Sequence, residues 1–337
     1  MYHKSFNKAN DDCIQNDKED KKSSFDSTLT KAWEEAQKNG LFRYVLNIQD
    51  TKILDGKYKF LVQLNIDRGY NRRCPENITS MKQPFNENQF NFTKLAPEEQ
   101  IMNLNSTNEE DVIAINVSPM EYCHSLLLPQ KYKQLPQVVT KYSLYKAVEL
   151  FSLSSSLYLR VGFNSLCAYA SVNHLHWHLY YLNWNMLLEY IDLKEYAGPV
   201  QILYEYPAKG FCIKYSNVRN MDDFVDWAFL LINYLQNAEV AHNVYITRAK
   251  LDSEGEYEDL RIYIWARKPA KGSKDTAIFN PAICEFFGHL SIKSEEVYKN
   301  LTEERVTCTL REVTEETFFS VYDKIKNLIE DRINIAT

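Results

Sequence analysis

The stretch SVNHLHWHLYYL, residues 171–182, places His174, His176 and His178 at alternate positions in a short apolar run. The run is rich in residues that favour strands, and side chains along a strand alternate between its two faces. We therefore expect the three imidazoles to share one face, about 6.6 Å apart, while the apolar residues between them bury into a core. Three rings held in register on a rigid strand indicate a chemical site.

Three interpretations of the histidine run compete. The imidazoles are structural groups, in which case several buried rings need several hydrogen-bond partners. Alternatively, two of them ligate a metal ion, although a third ring on the same straight strand lies too far away for tetrahedral geometry. In the third interpretation a neutral imidazole attacks phosphorus, a neighbouring ring orients it, and another donates to the departing oxygen. The spacing brings no Cys or acidic ligand to the rings, so we expect neither a metal ion nor a cofactor.

The composition fits one large domain or two joined ones, since the chain has 337 residues, of which 45% are hydrophobic and 13% aromatic. The net charge is −6, which argues against nucleic acid as a partner. There is no signal-peptide pattern and no apolar run of the roughly 18 residues that a membrane span needs, so we expect a cytoplasmic protein without a membrane partner. The seven cysteines are scattered without a C-x-x-C, and reduced thiols are expected.

Apolar spacing divides the chain into a polar tail and two halves. Residues 1–25 read as a disordered tail, and a helix follows that begins at Asp26 or Ser27 and ends at Gly40. Residues 42–48 and 58–66 read as a hairpin with a turn at Asp55-Gly56, and residues 71–94 read as a long loop. Further strands are predicted at 112–119, 124–129, 159–166 and 170–182, with a helix at 144–154.

The second half repeats this organisation. Hairpins are predicted at 201–206 with 211–216 and at 243–251 with 259–268, with a helix at 221–238 between them and a final helix near the C-terminus. No second H-x-H occurs in this half. We therefore assign residues 26–195 to a half that carries the histidines and residues 196–337 to a half without them. No G-x-G-x-x-G or Walker-type loop is present, so Rossmann and P-loop chemistry lack support.

A family resemblance supports the phosphorus interpretation. The run HLHWHLYYL resembles the H-φ-H-φ-H-φ-φ signature of the histidine-triad superfamily, and the chain resembles the GDP-sugar phosphorylases within it. Five further blocks carry the resemblance: FLVQLNIDR (60–68), PFNENQFNFTK (84–94), INVSPMEYCHSLLLP (115–129), RVGFNSL (160–166) and FNPAICEFFGHLSIK (279–293). The resemblance implies an α+β fold like that of galactose-1-phosphate uridylyltransferase, with two related halves around antiparallel sheet and a possible homodimer.

The resemblance also implies a reaction. Family members convert a GDP-hexose and inorganic phosphate into GDP and hexose 1-phosphate. By resemblance His176 is the nucleophile that carries GMP covalently, His174 orients it, and His178 donates to a phosphate oxygen. Animal members keep His at the third position, where plant members that use GDP-L-galactose have Gln, so His178 favours GDP-D-glucose as substrate.

Candidate nucleotide- and phosphate-binding residues lie in the same blocks. Short polar side chains beside the histidines, and polar or basic side chains in matched blocks, are candidates to contact phosphate, ribose or base; structural hydrogen bonding or surface solvation is the alternative for each. They are Asn116, Asn164, Ser165, Asn173, Gln63, Asn65, Arg68 and Lys94. The lone histidines His124, His242 and His289 are expected to be structural.

Two cysteines depart from the family pattern. Cys123 and Cys167 stand where relatives usually have Gly, which matters if the backbone there needs a positive φ or lies close to substrate.

Two functional alternatives stay open. One is another phosphorylase of the family, acting on GDP-L-galactose or GDP-mannose, or a nucleotide hydrolase of the same superfamily. The other is a module that binds guanine nucleotides without catalysis.

Overall fold

A computed structural model describes residues 22–71, 75–104, 110–251, 255–270 and 279–336. Residues 1–21 of the predicted tail lie outside these ranges. The last two residues of the predicted tail, Ser24 and Phe25, are helical. The first helix begins at Ser24, because Ser23 caps it by accepting a hydrogen bond from the Asp26 N–H at 3.0 Å. Gly40 follows the helix with a positive φ of 71°, as expected for a C-terminal glycine stop.

The described residues of the first half form seven strands and three α-helices. In chain order they are α1 (Ser24–Lys38), β1 (Asp50–Ile53), β2 (Leu61–Leu64), α2 (Ile66–Asn71), β3 (Gln100–Asn103), β4 (Val112–Ile115), β5 (Ser125–Leu128), α3 (Lys141–Leu153), β6 (Leu159–Asn164) and β7 (Trp177–Tyr181).

In the second half, six strands and four α-helices lie within the part of the chain that the structure describes. They are β8 (Lys194–Ala197), β9 (Val200–Leu203), β10 (Gly210–Lys214), α4 (Met221–Asn237), β11 (His242–Ala249), β12 (Asp259–Ala266), α5 (Ile283–Phe286), β13 (His289–Ile292), α6 (Glu295–Asn300) and α7 (Glu303–Ala336). Both predicted hairpins of this half and its two long helices are confirmed.

Ten strands form one antiparallel sheet in the order β3-β4-β5-β7-β6-β11-β12-β10-β9-β8. Read from each outer edge, the halves have the same order: β3-β4-β5-β7-β6 and β8-β9-β10-β12-β11. The helices α3 and α4 follow equivalent strands, β5 and β10. The halves join where β6 pairs with β11. The predicted α+β class with two related halves is confirmed, whereas the division at residue 195 stays a prediction.

The two faces of this sheet are covered differently. Helices α1, α3 and α4 pack on one face, where Leu175, Trp177 and Leu179 are buried as predicted. On the other face lie α5 and a second sheet of three strands in the order β1-β2-β13. This second face carries the candidate site.

The first predicted hairpin is partly wrong. Its second strand is present as β2, but its partner is β1, and residues 42–48 form no strand. The side chains of this segment pack against other parts of the protein, and its backbone does not pair with a strand. The Phe42 ring lies 5.0 Å from that of Trp33, and the Tyr44 hydroxyl donates to the Pro119 carbonyl. Tertiary contacts have overridden the strand propensity.

The predicted strand through all three histidines is also wrong. β7 begins at Trp177, so only His178 lies on it. The preceding backbone bonds to a loop: the Leu175 N–H donates to the Leu135 carbonyl at 2.9 Å, and the His176 N–H donates to Gln137 Oε1 at 2.8 Å. Residues 135–137 therefore accept the backbone hydrogen bonds that residues 175 and 176 would otherwise donate to a neighbouring strand.

The left-handed backbone anticipated at two cysteines is present. Cys123 has a φ of 59° and Cys167 a φ of 56°, and both thiols are buried. Among the described residues, no helix is both long and apolar enough to cross a membrane.

Candidate active site

A cleft opens on the second face of the large sheet, beside the start of β7. His176 and His178 line it, and their ring centroids are 5.2 Å apart. Residues 279, 280 and 282–285, which precede β13, line it as well. The cleft is therefore built by residues from both halves of the chain.

His176 is held in one tautomer by the backbone of His174. Its Nδ1 lies 2.7 Å from the carbonyl oxygen of His174, which can only accept, so the ring proton sits on Nδ1. Nε2 then carries the lone pair of the neutral ring. The ring is 1% exposed and meets the Phe92 ring edge-on at 5.0 Å. A neutral imidazole fixed in this way has the nucleophilic nitrogen that attack on phosphorus needs.

His124, which is expected from the sequence to be structural, sets the tautomer of His178. His124 Nδ1 accepts from the Met120 N–H at 3.0 Å, so its proton sits on Nε2. That Nε2 lies 3.1 Å from His178 Nδ1, which must accept. His178 therefore presents an Nε2–H donor. His124 lines the cleft too, and its position in the matched block 115–129 is the signal that could have found it.

His174 contributes its carbonyl, and its ring has a separate role. Nδ1 accepts from the Phe92 N–H at 3.0 Å, and Nε2 donates to the Lys131 carbonyl at 3.1 Å. The ring thus ties residues 92 and 131 together beside the nucleophile. His174 contacts the His176 ring through its backbone oxygen, and its orienting role stays a prediction.

Burial keeps these neighbouring rings neutral. It lowers the pKa of His174 to about 4, against the Lys131 carbonyl bond that raises it. Burial also lowers the pKa of His124 well below its usual range, with the Arg68 charge acting in the same direction. His174 and His124 are therefore neutral at neutral pH, and the hydrogen-bond directions of these two rings persist there.

Three of the eight other candidates reach the cleft: Asn116, Asn164 and Arg68. Asn116 Oδ1 accepts from the Ser118 N–H at 3.0 Å, and its Nδ2 lies 3.2 Å from His124 Nε2. Asn164 Oδ1 accepts from the Ile283 N–H at 2.9 Å and so fixes the start of α5. Each of these three polar side chains forms part of the wall of the cleft that contains His176 and His178.

The other five candidates bond elsewhere. Asn173 donates to the carbonyls of Gln83 and Pro84, and Ser165 donates to the Leu166 carbonyl. Lys94 donates to the carbonyls of Glu87 and Gln89. Gln63 bonds Glu121 and His289, and Asn65 accepts from the Arg68 N–H. The structure does not bring these five side chains to the cleft, because each one braces a loop or a strand.

Several cleft residues were missed by sequence reasoning. Ser118 lies in the block 115–129, and Asn280, Ser291 and Lys293 lie in the block 279–293. Both blocks carry the family resemblance, but the sequence alone predicts no role for these residues.

No three His, Cys, Asp or Glu side chains are grouped to hold a metal ion in the described part of the chain.

Comparison with known proteins matches both halves to one family. Residues 24–180 match the family model "GDPGP1-like, N-terminal domain", and residues 191–332 match "GDPGP1-like, C-terminal domain". The chain belongs to the GDPGP1-like family. The resemblance to GDP-sugar phosphorylases is thereby confirmed.

Named relatives of this GDPGP1-like chain span most of its length. It is 38% identical over 305 residues to "GDP-D-glucose phosphorylase 1" of Bos taurus, covering 86% of this chain and 79% of the relative. It is 33% identical over 336 residues to "GDP-L-galactose phosphorylase 2" of Arabidopsis thaliana, covering 90% and 76%.

A solved structure shares the fold of this GDPGP1-like chain. Yeast Ap4A phosphorylase Apa2 superposes with a TM-score of 0.65 over 87% of this chain and 97% of that one, at 15% identity. A likeness at this identity shows the fold alone.

Proposed function

We propose that this protein is a GDP-D-glucose phosphorylase, which converts GDP-D-glucose and inorganic phosphate into GDP and D-glucose 1-phosphate. The tautomer of His176 carries the proposal, because its Nδ1–H is held by the His174 carbonyl and its Nε2 is left with the lone pair. The identity to relatives of that name supports the substrate.

In the first step His176 Nε2 attacks the α-phosphorus of GDP-D-glucose. The bond from this phosphorus to the bridging oxygen breaks, and D-glucose 1-phosphate leaves with the electron pair. GMP stays bound to Nε2. The leaving group is a phosphate monoester and departs well without strong acid catalysis, so the step needs only orientation and charge stabilisation.

In the second step an oxygen of inorganic phosphate attacks the same phosphorus. The P–N bond breaks, its electron pair returns to Nε2, and GDP leaves. The Nε2–H of His178 donates to the transferred phosphoryl group in both steps, because the chain Met120, His124, His178 fixes that hydrogen on the cleft side.

The intermediate provides the test. Incubation with GDP-D-glucose in the absence of phosphate should add one GMP to the intact mass of the protein, and addition of phosphate should discharge it as GDP. His176→Ala should form no adduct and lose activity by a factor on the order of 10⁴ or more.

His178→Gln is the matched control, because the Gln amide can still donate one hydrogen bond. It should form the adduct more slowly than the wild type. A wild-type protein that turns over GDP-D-glucose without ever carrying GMP would refute nucleophilic catalysis by His176. A protein that neither reacts nor carries GMP would leave a module that binds the nucleotide only.

Sugar preference is tested by rates with a panel of GDP-sugars. GDP-D-glucose should have a higher kcat/KM than GDP-L-galactose and GDP-mannose. The plant relative makes GDP-L-galactose the informative competitor.

A further inference from the structure

Four polar residues share one stretch of the cleft wall. Arg68, Ser118, Ser291 and Lys293 all line the cleft that contains His176. We refer to these four residues as the serine–cation cluster. Only Arg68 was a candidate from the sequence.

The small sheet brings the members of the cluster together. β13 runs parallel to β2, with Ser291 opposite Gln63, and the Asn65 N–H donates to the Ile292 carbonyl at 2.7 Å. A Cβ on Gly69 would lie 3.0 Å from the Cβ of Lys293, so α2 passes directly against this lysine. Arg68, the preceding residue, is therefore held beside β13.

A second contact joins Ser118 to this group. The Arg68 guanidinium donates to the Ser118 carbonyl. The Ser118 N–H donates to Asn116, which neighbours His124, and His124 in turn neighbours His178. The cluster thus continues along the cleft from the catalytic histidines.

The two hydroxyl groups of the cluster are buried without a partner. Ser118 and Ser291 are each 7% exposed, and neither Oγ has a hydrogen bond within the described residues. A buried hydroxyl without a partner costs free energy, so a polar ligand atom is expected between the walls.

The neighbouring charges decide the sign of that ligand. Arg68 and Lys293 are cationic, and a serine hydroxyl can donate to an anionic oxygen. Among the described residues, the carboxylates that line the cleft are Glu99, which precedes β3, and Glu285 on α5, which accepts from the Ala282 N–H at 3.0 Å. Neither belongs to the cluster, which itself offers two cations and two hydroxyl donors and therefore matches an anionic ligand such as phosphate.

We propose that the serine–cation cluster binds the phosphate dianion that attacks the guanylylated His176, and the phosphate of the departing hexose 1-phosphate as well. This inference rests on the proposed function. In two in-line displacements at one phosphorus, the leaving group departs from the side opposite Nε2, and the incoming nucleophile enters there. One anion subsite therefore serves both half-reactions, and it favours phosphate over water as the nucleophile.

Discharge of the intermediate tests the proposal. Guanylylated enzyme is separated from free nucleotide and mixed with inorganic phosphate, and GDP and GMP are measured as the products of phosphorolysis and hydrolysis. Lys293→Met and Ser291→Ala should each lower the second-order rate of GDP release about 10-fold to 100-fold, as expected for one hydrogen bond to a charged group. Hydrolysis to GMP should stay unchanged.

Matched controls remove the same groups outside the cleft. Lys299→Met removes a lysine that pairs with Glu295 on α6, and Ser320→Ala removes an α7 hydroxyl that bonds the Thr317 carbonyl. Both should discharge like the wild type. If the cleft variants lose no more phosphorolysis than these controls, or lose hydrolysis equally, the proposal is wrong while the covalent mechanism stands.

Calorimetry with inorganic phosphate tests the subsite even if no adduct forms. The unmodified wild-type protein should bind phosphate, and Lys293→Met and Ser291→Ala should weaken binding about 10-fold or more. Equal affinity in all proteins, or no binding by the wild type, overturns the cluster as an anion site.

Discussion

At the scale of single residues, the role of each histidine follows from its partners. His174, His176 and His178 are equivalent in the sequence, yet their proton positions differ in the fold, since His174 and His178 carry the proton on Nε2 and His176 carries it on Nδ1. A backbone carbonyl puts the proton of His176 on Nδ1, whereas His124 puts the proton of His178 on Nε2. One ring therefore presents a lone pair at Nε2 and the other an N–H, which is the difference that the proposed roles of nucleophile and donor require.

Buried neutral histidines also make folding sensitive to acid. Burial lowers the pKa of His174 and His242 to about 4 and that of His289 to about 3, below the unfolded value near 6.5. Below about pH 6.5 the unfolded chain binds protons that the folded chain does not, so stability is complete above this pH and falls as the pH drops towards 4. Each ring should cost about 2 kcal/mol of unfolding free energy at pH 5.

Urea denaturation at pH 7 and pH 5 measures this loss. In His242→Leu the difference between the two pH values should shrink by about 2 kcal/mol, because one titrating ring is gone. An unchanged difference would show that His242 does not titrate with unfolding.

At the scale of elements, close packing of α5 on β6 shapes the cleft. Gly162 pairs with His178 across β6 and β7. A Cβ at Gly162 would lie 2.9 Å from Ile283 Cγ1, so only glycine lets α5 approach this closely. Ile283 also lines the cleft. The position of this part of the cleft wall therefore depends on the absence of a side chain at Gly162.

Gly162→Ala should lower the unfolding free energy by about 1–3 kcal/mol through overpacking. Ile283→Ala alone should cost about 2–5 kcal/mol through the cavity it leaves. Because the new methyl group fills part of that cavity, the double variant should cost less than the sum of the single variants in urea denaturation. Additive losses would mean that the two positions do not contact.

At the scale of the whole molecule, the repeat explains why one half carries the site. Gly162 pairs with both His178 and Tyr245, and Tyr245 pairs with Tyr263. Tyr263 therefore takes the place of His178 in the second half, and Arg261 takes that of His176. The Arg261 guanidinium donates to the carbonyls of Leu188 and Ile191, which fills the equivalent position with protein contacts.

A buried ion pair ties the halves together. Arg160 on β6 pairs with Glu189 in the connection between the halves, and both side chains are 1% exposed. The Tyr257 hydroxyl, from the second half, donates to the same carboxylate at 2.7 Å. Removing one partner of such a pair leaves a buried charge uncompensated.

Glu189→Gln should lower the unfolding free energy by about 3–5 kcal/mol for this reason. Glu295→Gln removes one partner of the exposed pair with Lys299 and should change stability little. Thermal or urea unfolding of both variants measures the contrast. A loss no larger than that of the control would mean that the pair is compensated by solvent.

The sequence by itself determined the family and the fold class, since both depend on local patterns and on matched blocks. The same patterns predict which histidines react, and that assignment stays a prediction. The sequence also predicted most strands and helices, because their apolar spacing agrees with the way they pack. It failed at residues 42–48 and 171–176, where contacts with distant residues replace strand pairing.

Only the tertiary structure decided which polar side chains face the cleft. Asn116 and Asn173 are alike in sequence, but one lies beside His124 and the other bonds residues 83 and 84. Ser291 and Lys293 line the same cleft as His176 although they lie more than 100 residues along the chain, because β13 pairs in parallel with β2. A side chain's function depends on its hydrogen-bond partners and burial, and for these residues the partners come from distant parts of the chain.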